Sequence, residues 1–271
     1  MRRKQGQDGF ALVVVLWSLG LLALLGTMLG ATARQHNQRL ANLLDGAAVE
    51  AAAEAALHQA IFALLDTSDR RWEPDGTPHR LRLGAAAAEV RVHDEDGKVN
   101  PNIAPPELLQ ALLQQVGADA RQAARIAGAV LDWRGIAQGP TPPEAKAAQY
   151  AAAGRDYAPP NAPFESLDDL GAVLGMTPEL LARLRPHLTL FSTTDPDAST
   201  GDPVVLAALG APRRLPARRT GADAPRVAAV HVAVRGPGGT AADERVVVRT
   251  NYLGEVRRFE ILSRERLPGG R

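Results

Sequence analysis

Residues 10–33 form a run of 24 without a charge, FALVVVLWSLGLLALLGTMLGATA. A bilayer core about 30 Å thick asks for about 20 such residues in a helix. Apolar positions then recur at spacings of 3, 4 and 7 through Leu40, Leu43, Leu44, Ala47, Ala51, Leu57, Ile61, Leu64 and Leu65. Arg39, Asp45, Glu50, Glu54 and Gln59 fall on other faces. No proline precedes Pro74. The pattern predicts one helix over residues 10–66, roughly 85 Å long at about 1.5 Å per residue. Its first half is apolar all round, and its second half has one stripe to bury against a soluble domain. A break near Gly30, separating an anchor from an unrelated helix, is the alternative.

The pattern then changes period. Residues 80–83 and 89–92 alternate polar and apolar side chains, as half-buried strands do, with Gly84 and alanines between them. Residues 94–97, Asp-Glu-Asp-Gly, read as a solvated polar turn. Over residues 100–190 the spacing is helical. Pro105-Pro106-Glu107 opens one run that Gly117 closes, and Asp119 caps a second through Leu131. Residues 135–163 read as a long ordered loop holding a short helix. Ser166 and Asp169 form a capping box, and Pro178 stands at the first position of a further helix. A short helix is expected over residues 204–209. Residues 227–234, 245–250 and 256–262 alternate again, joined by glycine-containing turns. Two strand groups around a helical block predict an α+β fold: a long N-terminal helix on an antiparallel sheet, with a large all-α domain inserted between strands.

Composition sharpens the compartment. The chain has 271 residues and no cysteine, which excludes a disulfide scaffold, a thiolate zinc site and a cysteine nucleophile. Its net charge of +1 hides an asymmetry: residues 10–212 carry 15 basic and 23 acidic side chains, residues 213–271 carry 13 and 6. An overall basic nucleic-acid binder is disfavoured. Arg2, Arg3 and Lys4 precede the apolar run and Arg34 and Arg39 follow it, so the tight N-terminal cluster favours a cytoplasmic N-terminus. Ala31-Thr32-Ala33 leaves a secreted form cleaved after Ala33 as an alternative, although the run exceeds a typical signal-peptide core. At the other end, a short basic leader, Gly9-Phe10 and the apolar run resemble a type IV pilin-like class III signal, cut between Gly9 and Phe10.

No nucleophile elbow, P-loop or dinucleotide fingerprint occurs. The six histidines, at 36, 58, 79, 93, 187 and 231, are scattered without metal-ligand spacing. Asp168 and Asp169 are explained by capping rather than by paired-carboxylate catalysis. No catalytic residue and no cofactor is expected. Residues 164–188 resemble a helix-hairpin-helix, which keeps open a membrane-anchored periplasmic DNA-binding module. Asp168, Asp169 and Glu179 would face phosphates with only Arg183 and Arg185 nearby, so no nucleic acid is expected. Arg213, Arg214, Arg218 and Arg219 form a basic segment suited to an acidic partner subunit or to solvent.

Several motifs, taken together, resemble the K-type minor pseudopilins of type II secretion. They are Gly9-Phe10 with the run to Trp17, Gly97-Lys-Val-Asn-Pro-Asn102, Leu131-Asp-Trp-Arg134, Ala151-Ala-Ala-Gly154, Asn161-Ala-Pro-Phe164 with residues 166–170, the helix of residues 204–209, and the Arg-rich residues 256–261. The resemblance implies a pilin-like fold and a division into a leader (1–9), a transmembrane helix (10–33), a helix continuation with the first strands (34–99), an inserted helical domain (100–191) and the rest of the sheet (192–271). It implies processing and methylation by a prepilin peptidase, a single-pass place in the inner membrane and a periplasmic C-terminal domain. The partners it implies are I-type and J-type minor pseudopilins, with the H type as a further candidate. Pilins carry glutamate at the fifth mature position, which is Val14 here; its absence fits a subunit at the pseudopilus tip, since a membrane carboxylate must be paired. Some family members bind calcium after the Asp-Trp motif, but here residues 134–138 hold no carboxylate and Asp132, Glu144 and Asp156 are sparse. No metal site is expected.

Overall fold

The computed structural model describes residues 8–66, 68–135, 142–196, 202–210, 226–253 and 256–268. The first seven residues, residues 136–141 and the arginines at 213, 214, 218 and 219 lie outside the described residues.

Helix α1 (Asp8–Leu64) is one continuous element of 57 residues, with no break at Gly30. Five antiparallel strands follow: β1 (His79–Leu83), β2 (Ala86–Asp94), β3 (Arg226–Arg235), β4 (Ala241–Leu253) and β5 (Val256–Arg266), adjacent in that order. Strands β2 and β3 pair directly, Val90 opposite Val232 and Val92 opposite Val230, although residues 95–225 separate them in the chain. The period-2 pattern explains the two faces of the sheet. Ala86, Ala88, Val90 and Val92 of β2, Val230 and Val232 of β3, and Val246 and Val248 of β4 all pack toward α1. Val227, Ala229 and Val247 face the other way, where Phe191 and Leu262 cover them.

The sheet core is built of small side chains. From α1 it takes Val49, Ala52, Ala53, Ala56, Leu57, Ala60, Ile61 and Leu64. Alanine on the helix and valine on the strands let the two layers approach closely while each keeps a residue type suited to its own backbone. Gly236, in the turn after β3, abuts the helix: a β-carbon there would sit 2.3 Å from Val49 Cγ2.

Between β2 and β3 the chain forms α2 (Pro106–Gln115), α3 (Ala120–Arg134), α4 (Pro143–Ala152), a 3-10 turn at Leu167–Ala172, α5 (Pro178–Leu184) and α6 (Pro203–Ala208). Each start follows its sequence signal. Asp119 accepts from Gln122 N, Thr177 from Leu180 N, and Asp202 from Val204 N and Val205 N. Ser166 and Asp169 close the capping box, but on a 3-10 turn rather than an α-helix. These helices bury a second, separate core of larger side chains, including Leu112, Leu113, Ile126, Val130, Trp133, Tyr150, Phe164, Leu170 and Leu184.

Candidate functional site

Helix α1 has two faces with opposite fates. At about 100° per residue, Leu40, Leu44, Ala47, Ala51, Ala55, His58 and Phe62 share a stripe roughly opposite the sheet-facing set. All seven are exposed. Leu44 stands 62% exposed and Phe62 72%. Phe259 and Ile261 of β5 extend this apolar surface, with Phe259 edge-on to His58 at 6.2 Å. The single stripe expected from Leu40 to Leu65 is therefore split. Leu57, Ile61, Leu64 and Leu65 are buried, whereas Leu40, Leu43, Leu44, Ala47 and Ala51 are bare. The spacing of the leucines with Ala47, Ala51 and Ile61 suggested one stripe. The alanines that pack on the sheet gave no contrast in an alanine-rich helix.

Below this stripe, Leu12–Leu24 is apolar on every side and exposed throughout. Gly9 and Phe10 lie in the first turns of α1, and Val14 is half exposed, its carbonyl accepting from Ser18 Oγ at 2.9 Å. Gln38–Leu64 also has a mean hydropathy of 1.2, but 44% of that stretch is buried, because it is the helix that covers the sheet.

The acidic turn after β2 is not solvated. Glu95 is fully buried and accepts from Lys98 Nζ at 2.7 Å and Arg245 Nη2 at 2.8 Å. Asp96 accepts from Val227 N at 3.0 Å, and the Glu95 N–H donates to Val227 O at 3.0 Å. The turn thus ties the end of β2 to β3 and β4. Hydrogen-bonded buried charges of this kind leave the fold little freedom at that corner.

Three of the motifs that carry the family resemblance, those at residues 97–102, 131–134 and 161–164, meet in one polar joint beside the helical core. Asn102 spans the joint, donating to Phe164 O at 3.0 Å and accepting from Phe164 N at 2.7 Å. Arg134 donates to Pro101 O at 2.7 Å, and burial pulls its pKa down. Trp133 stacks on Phe164 with ring centroids 5.8 Å apart. Lys146, which the sequence did not single out, reaches Asp132 O at 3.1 Å, Asn161 Oδ1 at 3.2 Å and the Asp132 carboxylate at 3.4 Å. Its one signal is rarity. The chain has three lysines, and both that lie within the described residues, Lys98 and Lys146, pair with buried or nearly buried carboxylates.

The remaining candidates are structural. Asp168 pairs with Arg185, and Asp169 accepts from Ser166 N at 2.9 Å. In the hairpin of residues 164–188 the exposed Gly175, at φ +84°, lies beside Ile126 of α3, where a β-carbon would come 3.1 Å from Cγ1. The histidines are less scattered than the sequence suggested. His93, His187 and His231 line one groove of about 670 Å³ with Asp75, Lys98 and Asp202. Among the described residues no group of three or more His, Asp and Glu side chains is placed to hold a metal.

Residues 82–193 match the family model of type II secretion system protein K, in its first domain. No curated protein matches the chain by sequence. Among solved structures, the fold is similar to a chain of the GspK-GspI-GspJ complex from the enterotoxigenic Escherichia coli type 2 secretion system. The TM-score is 0.58 at 16% identity, covering 88% of this chain and 99% of that one. At that identity the structural likeness speaks for the fold, and the matched segment contains the three motifs that meet at the polar joint. Over residues 82–193 the chain is similar to type II secretion system protein K.

Proposed function

We propose that this chain is a minor pseudopilin that helps to nucleate the type II secretion pseudopilus and sits at its tip. The observation that carries the reading is α1 itself. An unbroken helix joins an all-round apolar segment to a bare apolar stripe, while its opposite face is already used to hold the sheet. A helix hydrophobic all round is suited to lipid, and a one-sided apolar stripe to a second helix. Residues 10–33 span the inner membrane once, after a peptidase has cut between Gly9 and Phe10, and the C-terminal domain stands in the periplasm. The bare stripe then packs along the helices of I-type and J-type subunits, with the H type below them.

The part played by Val14 follows from the same geometry. With no carboxylate at that position, this chain does not dock onto the amino terminus of a subunit above it, so others join beneath it and none above. Residues 100–191 act as an inserted helical domain, whose separate core gives the tip a rigid head. The role is structural, with no reaction assigned to any residue. Mass spectrometry of the chain recovered from membranes that contain the peptidase tests the first step. A mature N-terminus at Phe10 is expected; one at Arg34 would mean secretion, and an intact Met1 an unprocessed anchor, and either would end this reading.

A further inference from the structure

The groove lined by three histidines lies where the sheet meets the helices that interrupt it. His93 of β2 and His231 of β3 meet edge-on, ring centroids 5.4 Å apart. The segment before β1 straps over them. Gly76, at φ +81°, lies so close that a β-carbon would come within 2.8 Å of His93 Cε1. That strap is tied to β2 by Gly76 N to Val92 O at 2.8 Å and by Asp94 N to Pro74 O at 3.0 Å. On the far side of the groove, His187 Nδ1–H donates to Asp202 Oδ2 at 2.7 Å. Beside it runs the backbone link between the two parts, Val99 N to His187 O at 2.9 Å and Thr189 N to Val99 O at 3.0 Å.

We propose that this seam is an acid-sensitive joint: protonating His231 and His93 loosens the helices α2–α6 from the sheet while β3 and β4 stay paired. The charges facing the two rings give the reason. Arg91 comes from β2, Lys98 from the turn after it and Arg245 from β4. The carboxylates in reach are already engaged. Glu95 holds both Lys98 and Arg245, Asp75 accepts from Thr77 N, Asp94 from Asp96 N, and Asp202 from its helix and from His187. An imidazolium at position 231 would be a third cation around one buried carboxylate. Burial first, and then His93, Arg245 and Lys98, pull the His231 pKa down to about 4. Burial and Lys98 likewise pull His93 down. A folded-state pKa below the unfolded value of about 6.5 means the open seam takes up the proton more readily than the closed one. The contribution is whole above about pH 6.5 and is lost as pH falls toward the folded pKa.

Hydrogen exchange on the full-length chain in detergent micelles, at pH 7 and pH 4.5 and corrected for intrinsic rates, reads the seam directly. Protection at the Val99 and Thr189 amides should fall roughly ten- to hundredfold at the lower pH, while Val230 and Val246 keep theirs. His231→Asn and His93→Asn should retain protection at pH 4.5, and His58→Asn, on the exposed helix face, should behave as the unaltered chain. Equal protection at both pH values overturns the proposal. So does loss that persists in the two asparagine variants, or loss that sweeps up Val230 as well. Should either variant misfold, an imidazole NMR titration of the unaltered chain decides: both rings titrating near 6.5 contradicts the joint, and depressed values moving together with the Thr189 amide support it.

Discussion

The two faces of α1 share a helix and a composition but not a fate. One is sealed against the sheet, and the other, of similar apolar character, is left to solvent. A soluble protein with no partner gains nothing by presenting an apolar stripe of this length, since exposed contiguous apolar surface marks a binding site. The buried face is also the more finely fitted. It is lined with alanines, abuts Gly236 and is fenced by ion pairs, with Arg264 joining Glu54 to Glu244 at 2.8 Å each and Arg266 reaching Glu50 at 2.9 Å. The bare face has Leu40 and Leu44 at one end, His58 and Phe62 at the other and the small Ala47, Ala51 and Ala55 between, which is how helices that pack on helices are shaped. The difference teaches that one face builds the subunit, and it leaves the other for the assembly proposed above.

Substitutions can break that contrast. Leu57→Ala, at a fully buried position on the sheet side, should cost about 2–5 kcal/mol in denaturant unfolding followed by tryptophan fluorescence. A loss no larger than that of an exposed position would mean that the helix is not seated on the sheet. Gly236→Ala should cost roughly 1–3 kcal/mol, because its new methyl group meets a stiff valine rather than a flexible chain end. Adding Val49→Ala should recover part of that loss, and an additive double variant would refute the contact. Arg264→Ala should lower stability by about 1 kcal/mol, less at high salt, since Arg264 is partly exposed although its partner Glu244 is nearly buried. On the bare face, Leu44→Ser and Phe62→Ser should change stability by no more than about 0.5 kcal/mol. Both should nevertheless reduce recovery of I-type and J-type partners in a pull-down from membranes.

Much of the architecture was readable from periodicity. The long helix, the starts of α2, α3 and α5 and both strand groups follow patterns or capping residues that act locally. What stayed hidden depends on long-range geometry. Residues 94–97 look like a solvated turn because nothing nearby shows that Arg245, 150 positions later, will reach Glu95. Lys146 looks like a surface lysine until Asp132 and Asn161 are folded around it. The histidine groove is assembled from β2, β3 and the 3-10 turn that follows α5, so sequence spacing could not announce it. The split of the α1 stripe was missed for a different reason. Alanine serves both as helix former and as close-packing residue, and hydropathy does not separate those two uses.

Because the sequence contains no cysteine, single cysteines can be placed on α1 without removing any native one. Ala51→Cys lies in the middle of the bare stripe, and Arg121→Cys, on the exposed face of α3, provides a reference point away from it. Disulfide or bis-maleimide crosslinking in membranes that carry the assembled secretion apparatus then asks whether the bare stripe is an interface. The account predicts that Ala51→Cys crosslinks to a matched cysteine on the N-terminal helix of another pseudopilin, while Arg121→Cys does not. An assembled, secreting complex in which Ala51→Cys stays uncrosslinked would contradict it.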